Sequence, residues 1–187
     1  SKLSSDGIVS QVSAVNQKVA AVCGVSPVVM RPPGGYVDAH SLSVLGSMGM
    51  PAIMWSIDTR DWQHRNAQRT INNVLSQVKD GDIILMHDIY DATADAAVAL
   101  IPELTARGYQ LVTVSEMGEA KIGGLKPGEV YTDFWDSTVK KLTNSSSSSE
   151  KSSGSSDSEK SSGSSNNDKK SNSSNSDKGT SSSKSSD

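Results

Sequence analysis

The chain has little of what membrane or disulfide-stabilised proteins carry. No run among its 187 residues approaches the ~20 consecutive apolar side chains of a membrane-spanning helix. Its single cysteine, Cys23, cannot form a disulfide within the chain. The apolar neighbours of Cys23 predict a buried structural thiol.

A large excess of charge is also missing. The net charge is −3, and the six lysines of residues 144–187 balance six acids, so the imbalance falls on residues 1–143. So small a charge argues against a surface for nucleic acid and against a polybasic membrane patch.

Apolar side chains are absent from the C-terminal quarter of the chain. Every residue from Asn144 to Asp187 is Ser, Asn, Gly, Thr, Lys, Asp or Glu, and 23 of these 44 residues are serine. Such a segment cannot bury enough apolar surface to offset the entropy lost on ordering. We therefore predict a disordered tail over 144–187, suited either to a spacer or to a solvated end.

Helical and strand patterns alternate in the remaining sequence. In the first helix, apolar residues recur every three or four positions, at Ile8, Val12, Val15, Val19 and Val22. Helices are predicted over 4–24, 39–50, 66–81 and 92–108, and strands over 25–31, 51–58, 82–88 and 109–117. Repeating strand-then-helix units require a parallel sheet covered by helices. Four units are too few to close a barrel, so the pattern predicts the later part of a (β/α) barrel or a small open α/β sheet.

Chemically active side chains follow three successive predicted strands. Arg31 ends the first strand, Asp58 and Asp61 follow the second, and His87 and Asp88 end the third. The carboxyl ends of parallel strands are where active sites form, so we expect these residues at one edge of the sheet. Taken singly, each has a structural alternative, such as a surface ion pair, a helix cap or a core histidine.

Four segments carry a resemblance to a known family. These are "RPPGG" (31–35), "WSIDTRDW" (55–62), "IILMHDIY" (83–90) and "LKPGEVY" (125–131). The first three resemble, in order, the third, fourth and fifth motifs of the polysaccharide deacetylases of carbohydrate esterase family 4. The fourth is similar to the segment that often closes this domain in Gram-positive cell-wall members.

The resemblance implies the domain organisation. Residues 1–132 would form the C-terminal part of the NodB-homology domain, with about four of the later strand-helix units of a distorted (β/α)7 barrel. Residues 133–143 would be a C-terminal extension ahead of the tail. A bacterial cell-surface or extracellular setting in a Gram-positive organism also follows from the resemblance.

The family hydrolyses acetyl groups from glycans with a divalent metal, usually zinc. His87 matches the general acid that protonates the leaving amine, and Asp61 matches the aspartate that tunes it. A carboxylate beside an imidazole favours the protonated ring, as a proton donor requires. Arg31 matches the arginine that orients the catalytic base.

Four further positions match substrate-binding residues of the family. The backbone N–H of Gly34 matches a donor of the oxyanion hole, although many members carry tyrosine there. Trp62 and Leu85 match walls of the groove and of the acetate pocket. Tyr90 stands where many relatives have histidine. The implied substrate is a polysaccharide, with peptidoglycan, chitin-like polymers and xylan all open.

Two family motifs are missing from the sequence. Neither the Thr-Phe-Asp-Asp-Gly-Pro segment, which supplies the base and a metal ligand, nor the His-x-x-x-His segment, which supplies two more ligands, occurs here. The simplest interpretation is that the chain begins shortly after the second of those histidines. We therefore expect this chain to be inactive alone and not to bind zinc tightly.

Two other functions remain open at this point. One is a glycan-binding module without catalysis, in which Trp55, Trp62 and Tyr36 offer aromatic faces to sugar rings, although Trp55 lies within a predicted strand. The other is an unrelated metal site, whose candidate ligands are His64, His87, Asp58, Asp61 and Asp88.

Overall fold

The computed structural model describes residues 2–150, with side chains through residue 144. Its helices are α1 Ser5–Cys23, α2 Ala39–Ser47, α3 Asp61–His64, α4 Ala67–Gln77, α5 Asp91–Ala106, α6 Val114–Ile122 and α7 Asp136–Glu150. Its strands are β1 Ala52–Ile53, β2 Ile57–Asp58, β3 Ile84–Leu85 and β4 Val130–Tyr131. None of the helices in this part of the chain is long and apolar enough to cross a membrane.

The strands pair in parallel, as a (β/α) barrel requires. β1 pairs with β4, and β2 pairs with β3 with Asp58 opposite Leu85. Each parallel connection passes through at least one helix, which covers the sheet and buries its apolar residues. The predicted fold class, part of a (β/α) barrel, is confirmed.

The strands are shorter than the sequence predicts. The apolar run 51–58 divides into β1 and β2, which pair with different partners. In the run 25–31, only Met30 forms a bridge, opposite Ala52. Prolines lack the N–H that a ladder needs, and Pro27 lies within this run while Pro32 follows it directly, which limits its pairing.

Helix α1 has the predicted ends but not the predicted buried face. Ser4 caps its first turn, and Gly24 ends it in the left-handed conformation. Only Ile8 and Val12 of its apolar stripe are buried, while Val22 is 86% exposed. The prediction of a buried Cys23 is wrong, because this thiol lies on the last turn of α1, beyond the part that packs on the core, and is exposed.

The predicted strand over 109–117 is wrong over its whole length. Residues 109–113 form no strand, and α6 begins at Val114. Thr113 and Glu116 form a capping box, in which each side chain accepts from the backbone N–H of the other. Two satisfied backbone donors favour a helix start here over continued strand.

Helices α4 and α5 form the core beneath β2. Ile57 packs with Val74 of α4 and with Leu100 and Leu104 of α5. The predicted inward face of α4, formed by Ile71, Val74, Leu75 and Val78, contributes to this cluster. Helix α5 continues across Pro102 to Ala106.

The segment after β4 packs into a second part of the core. Phe134 is fully buried and stacks on Tyr131, with 5.7 Å between the ring centroids. Its N–H donates to the Gly81 carbonyl at 2.7 Å. Helix α7 runs to Glu150, so the first residues of the predicted tail are helical, and the rest of that tail, 151–187, lies outside the described residues.

Candidate active site

The structure joins two of the predicted catalytic residues directly. The ring Nδ1 of His87 lies 2.8 Å from Oδ1 of Asp61. The backbone N–H of His87 donates to the other carboxylate oxygen, Oδ2, at 2.6 Å. Since both oxygens are engaged, the carboxylate fixes the position of the ring and of the chain that carries it.

A buried threonine completes the surroundings of the carboxylate. The hydroxyl of Thr93, in the first turn of α5, donates to Oδ2 of Asp61 at 2.8 Å. Burial raises the pKa of Asp61, but hydrogen bonds from the His87 ring, the His87 N–H and Thr93 lower it by more. The pKa of Asp61 therefore lies below its ordinary value, and the group is a carboxylate at neutral pH.

These contacts assign the proton on the His87 ring. An ionised carboxylate only accepts hydrogen bonds, so Nδ1 carries a hydrogen and donates it to Asp61. The His87 side chain is 30% exposed, and its Nε2 has no hydrogen-bond partner in the described part of the chain. Nε2 is thus the atom that can take up a proton and release it to a bound molecule.

The turn between β2 and α3 places Asp61 beside His87. Pairing of β2 with β3 sets the two strands side by side. The Thr59 hydroxyl donates to the Leu85 carbonyl at 2.8 Å, which continues the link beyond the last paired residue. Asp61 then opens α3 with its side chain 1% exposed.

Three other residues predicted to bind substrate, Tyr90, Trp62 and Leu85, are close in sequence to Asp61 or His87 and differ in their exposure. The Tyr90 ring lies 6.5 Å from the His87 ring between centroids. Trp62 follows Asp61 and is 49% exposed, so its ring is open to solvent. The Leu85 side chain is buried. Their roles in binding remain predictions.

The loop that carries Arg31 and Gly34 is exposed. Within residues 2–150, no hydrogen bond or ion pair engages the Arg31 side chain or links this loop to Asp61 and His87. Gly34 has φ +64, a conformation that favours glycine. Gly35 lies so close to the half-buried Trp55 that a Cβ would be 2.8 Å from the indole.

The alternative metal site is not assembled. No three His, Cys, Asp or Glu side chains between residues 2 and 150 lie close enough to hold a metal ion. Both ring nitrogens of His64 are engaged, Nε2 with the Thr59 carbonyl at 3.0 Å and Nδ1 with the Asn66 N–H at 3.2 Å. Asp58 is exposed and accepts from the Arg60 N–H.

Two residues of the site were not found from the sequence. Thr93 carried no signal, because a threonine in the first turn of a helix is common. Thr59 could have been noticed, since it stands between the two aspartates that follow a strand and can hydrogen-bond its own backbone.

Known proteins resemble this chain in sequence and in fold. Peptidoglycan-N-acetylglucosamine deacetylase PgdA of Listeria monocytogenes is 36% identical over 140 residues, which are 75% of this chain and 29% of PgdA. Peptidoglycan-N-acetylmuramic acid deacetylase PdaC of Bacillus subtilis is 38% identical over 120 residues, which are 64% of this chain and 25% of PdaC. No family model matches the chain.

Solved structures of deacetylases and esterases also superpose on this chain. The structure of T48 deacetylase with substrate superposes with a TM-score of 0.64 at 34% identity, covering 70% of this chain and 63% of that one. The family 4 acetyl xylan esterase of Clostridium thermocellum, solved with a cobalt ion, superposes with a TM-score of 0.64 at 26% identity, covering 71% and 66%.

The fold and the similarity to known deacetylases identify the chain as part of a (β/α)-barrel polysaccharide deacetylase domain. The chain belongs to carbohydrate esterase family 4 and carries the third, fourth and fifth motifs of its NodB-homology domain. It spans between a quarter and a third of the length of the two curated relatives above.

Proposed function

We propose that this chain supplies the proton-donating part of a site that removes acetyl groups from N-acetylglucosamine residues of a cell-wall glycan. The observation that carries the proposal is the Asp61–His87 pair, whose histidine is 30% exposed and whose Nε2 has no partner among the described residues. Peptidoglycan is favoured as the polymer over chitin and xylan, because the two curated relatives are named for peptidoglycan deacetylation.

The pair fits the step in which the amine departs. Hydrolysis breaks the bond between the acetyl carbon and nitrogen, the acetyl group leaves as acetate with an oxygen from water, and the nitrogen takes up a proton. His87 donates that proton from Nε2, while Asp61 stabilises the imidazolium through Nδ1. A positioned general acid of this kind contributes about 10²–10⁴-fold to the rate.

Neighbouring residues take the roles that the family resemblance implies. The backbone N–H of Gly34 donates to the developing oxyanion, and among the described residues it has no other acceptor. Arg31 orients the catalytic base. Trp62, Leu85 and Tyr90 form walls of the substrate groove.

The described residues do not fit the metal that this chemistry uses. Zinc, when bound, polarises the acetyl carbonyl and activates a water. No ligand set for it lies within residues 2–150, and the two motifs that supply base and ligands are absent from the sequence. The remaining donors cannot supply the ~8 kcal/mol of barrier lowering typical of even modest enzymes, so we expect no turnover by the chain alone.

The test adds the missing motifs. The segment of PgdA that carries them is fused ahead of residue 1, and acetate release from peptidoglycan and from N-acetylglucosamine oligomers is measured with added zinc. The fusion is expected to release acetate, whereas the unfused chain releases none. His87→Asn in the fusion is expected to lower kcat by about 10²–10⁴-fold.

A matched control is His40→Asn in the same fusion, since His40 contacts Ser5 of α1 rather than Asp61. Equal loss of activity in both variants would argue against a role for His87 in the chemistry. Turnover by the unfused chain at the rate of a complete enzyme would contradict the proposed inactivity.

A glycan-binding module without catalysis is the second candidate. Tyr36 is 81% exposed and Trp62 is 49% exposed, so both rings are open to a sugar face. Glycan binding by a folded fusion that releases no acetate would favour this candidate. In either function, the relatives from Gram-positive bacteria support a cell-wall setting.

A further inference from the structure

Three of the five arginines of this slightly acidic chain fall within ten residues, at Arg60, Arg65 and Arg69. All three are exposed. No carboxylate within residues 2–150 forms an ion pair with any of them, in contrast to Arg107, which pairs with Glu103. These three side chains, here called the arginine face, therefore keep their hydrogen-bond donors available.

One residue of the arginine face, Arg65, lies near the Asp61–His87 pair. The Arg65 guanidinium carbon lies 4.8 Å from the centroid of the Tyr90 ring, and that ring is the one 6.5 Å from His87. One aromatic ring thus separates a cationic group from the proposed proton donor. A glycan residue bound at His87 would place its substituents beside Arg65.

The other two residues of the arginine face, Arg60 ahead of α3 and Arg69 in α4, line a polar cavity of about 450 Å³. The other lining residues are polar as well: Asp58, Thr59, His64, Asn73 and Gln77. The Asp58 carboxylate accepts from the Arg60 backbone N–H, and within residues 2–150 it forms no ion pair with Arg60 or Arg69. The cavity offers two cationic forks and amide groups, a set that matches a carboxylate.

Backbone conformation also sets these arginines apart. Arg60 and Arg65 flank α3 at its two ends and have φ +54 and +46. In the structure described over residues 2–150, they are the two non-glycine residues with positive φ. Glycine would adopt these conformations without strain.

We propose that the arginine face binds carboxylates carried by the glycan, and that it makes the site prefer an acidic, substituted glycan over neutral chitin or xylan. This inference rests on the proposed function. The carboxylate could belong to the lactyl group of a muramic acid residue or to a peptide attached to it. Both sources present the same anionic group, which the planar guanidinium binds through two parallel hydrogen bonds.

The experiment measures binding to the folded chain by NMR, following the His87 imidazole signals. Two probes are acidic: a disaccharide of N-acetylglucosamine and N-acetylmuramic acid, and this disaccharide with its peptide attached. Two more are these molecules with every carboxylate amidated. The fifth probe, chitobiose, is neutral. The acidic probes are expected to bind about tenfold more tightly than their amidated forms. The probe with the larger preference identifies the carboxylate that is bound.

The variant Arg60→Gln/Arg65→Gln/Arg69→Gln removes the three positive charges, keeps a polar, flexible side chain at each position and makes the same backbone demands. It is expected to bind acidic and amidated probes equally, with unchanged affinity for chitobiose. Arg107→Gln, which alters an arginine already paired with Glu103, is the matched control and is expected to keep the preference. For the unaltered chain, raising the salt concentration to about 1 M shortens the Debye length to about 3 Å and should remove most of the preference.

The outcomes separate this inference from the proposed function. Equal binding of acidic and amidated probes by the unaltered chain, or a preference that survives in the triple variant, would overturn the inference and leave the deacetylase proposal standing. If no probe binds the unaltered chain and the PgdA fusion is also inactive, both proposals fall. If only the fusion binds, a preference for the acidic probes that is lost in the triple variant of the fusion supports the inference, and equal binding of acidic and amidated probes by the fusion overturns it.

Discussion

Asp61 holds His87 at two points, one on the imidazole and one on the backbone. The segment after β3 that carries the histidine and the start of α3 that carries the aspartate are therefore linked by the same side chain that orients the ring. A ring fixed in this way loses little entropy when a substrate binds, so the proposed proton donor is preorganised.

Replacing the carboxylate should cost stability as well as geometry. In Asp61→Asn, one of the three donors from His87 and Thr93 loses its acceptor in a buried place. We expect a loss of about 1–3 kcal/mol in the free energy of unfolding, measured by urea denaturation. Asp58→Asn is the control and should change stability by less than about 0.5 kcal/mol, because an exposed asparagine can still accept from the Arg60 N–H.

Acid should weaken the fold through the same group. The pKa of Asp61 is lower in the folded chain than its ordinary value of about 3.9, so its stabilisation is fully present above that pH. It is lost as the pH falls through the lower folded pKa. Urea denaturation between about pH 5 and pH 2 should show a shallower decline for Asp61→Asn than for the unaltered chain. Parallel curves would contradict this assignment.

The approach of Gly35 to Trp55 should make a side chain costly in the Arg31 loop. Gly35→Ala combines φ +72 with a Cβ 2.8 Å from the indole. Gly49→Ala has φ +76 but open space around the new methyl group. Both should lose about 1–2 kcal/mol from backbone strain, and Gly35→Ala should lose about 1 kcal/mol more by urea denaturation. Equal losses would show that Trp55 moves aside freely.

Trp135 should attach the segment after β4 to the domain. Its indole N–H donates to Oδ1 of Asp82 at 2.8 Å, and Lys79 lies 3.6 Å above its ring. Trp135→Phe keeps a ring under Lys79 and removes the hydrogen bond, so we expect a loss of about 0.5–1.5 kcal/mol in thermal or urea unfolding. Trp62→Phe, which alters an exposed indole, should change stability by less than about 0.5 kcal/mol. No difference between the two variants would contradict the attachment.

The sequence predicted helices better than strands, and the reason is local. α1 and α4 have caps and apolar faces that can be recognised within the segment itself, at Ser4, Gly24 and Asn66. Strand pairing depends on partners far along the chain. The division of residues 51–58 between β4 and β3 follows from such partners and has no signal within those eight residues.

The strand predicted at 109–117 failed for a different reason. β-branched residues at positions 112–114 favoured a strand, but Thr113 and Glu116 form the capping box that starts α6. That signal was present in the sequence and was outweighed by the apolar pattern. In the site, motifs predicted the Asp61–His87 pair, whereas the Thr93 contact depends on how α5 packs and could not be predicted.

Gly34 limits which side chains the loop that carries Arg31 can accept. At φ +64, another residue is strained, and an added Cβ would lie 2.8 Å from the Tyr36 ring. A tyrosine, which the family resemblance leads one to expect at this position, would therefore need the backbone or the Tyr36 ring to move as well. Anyone who redesigns this loop would have to change positions 34 and 36 together, as one unit.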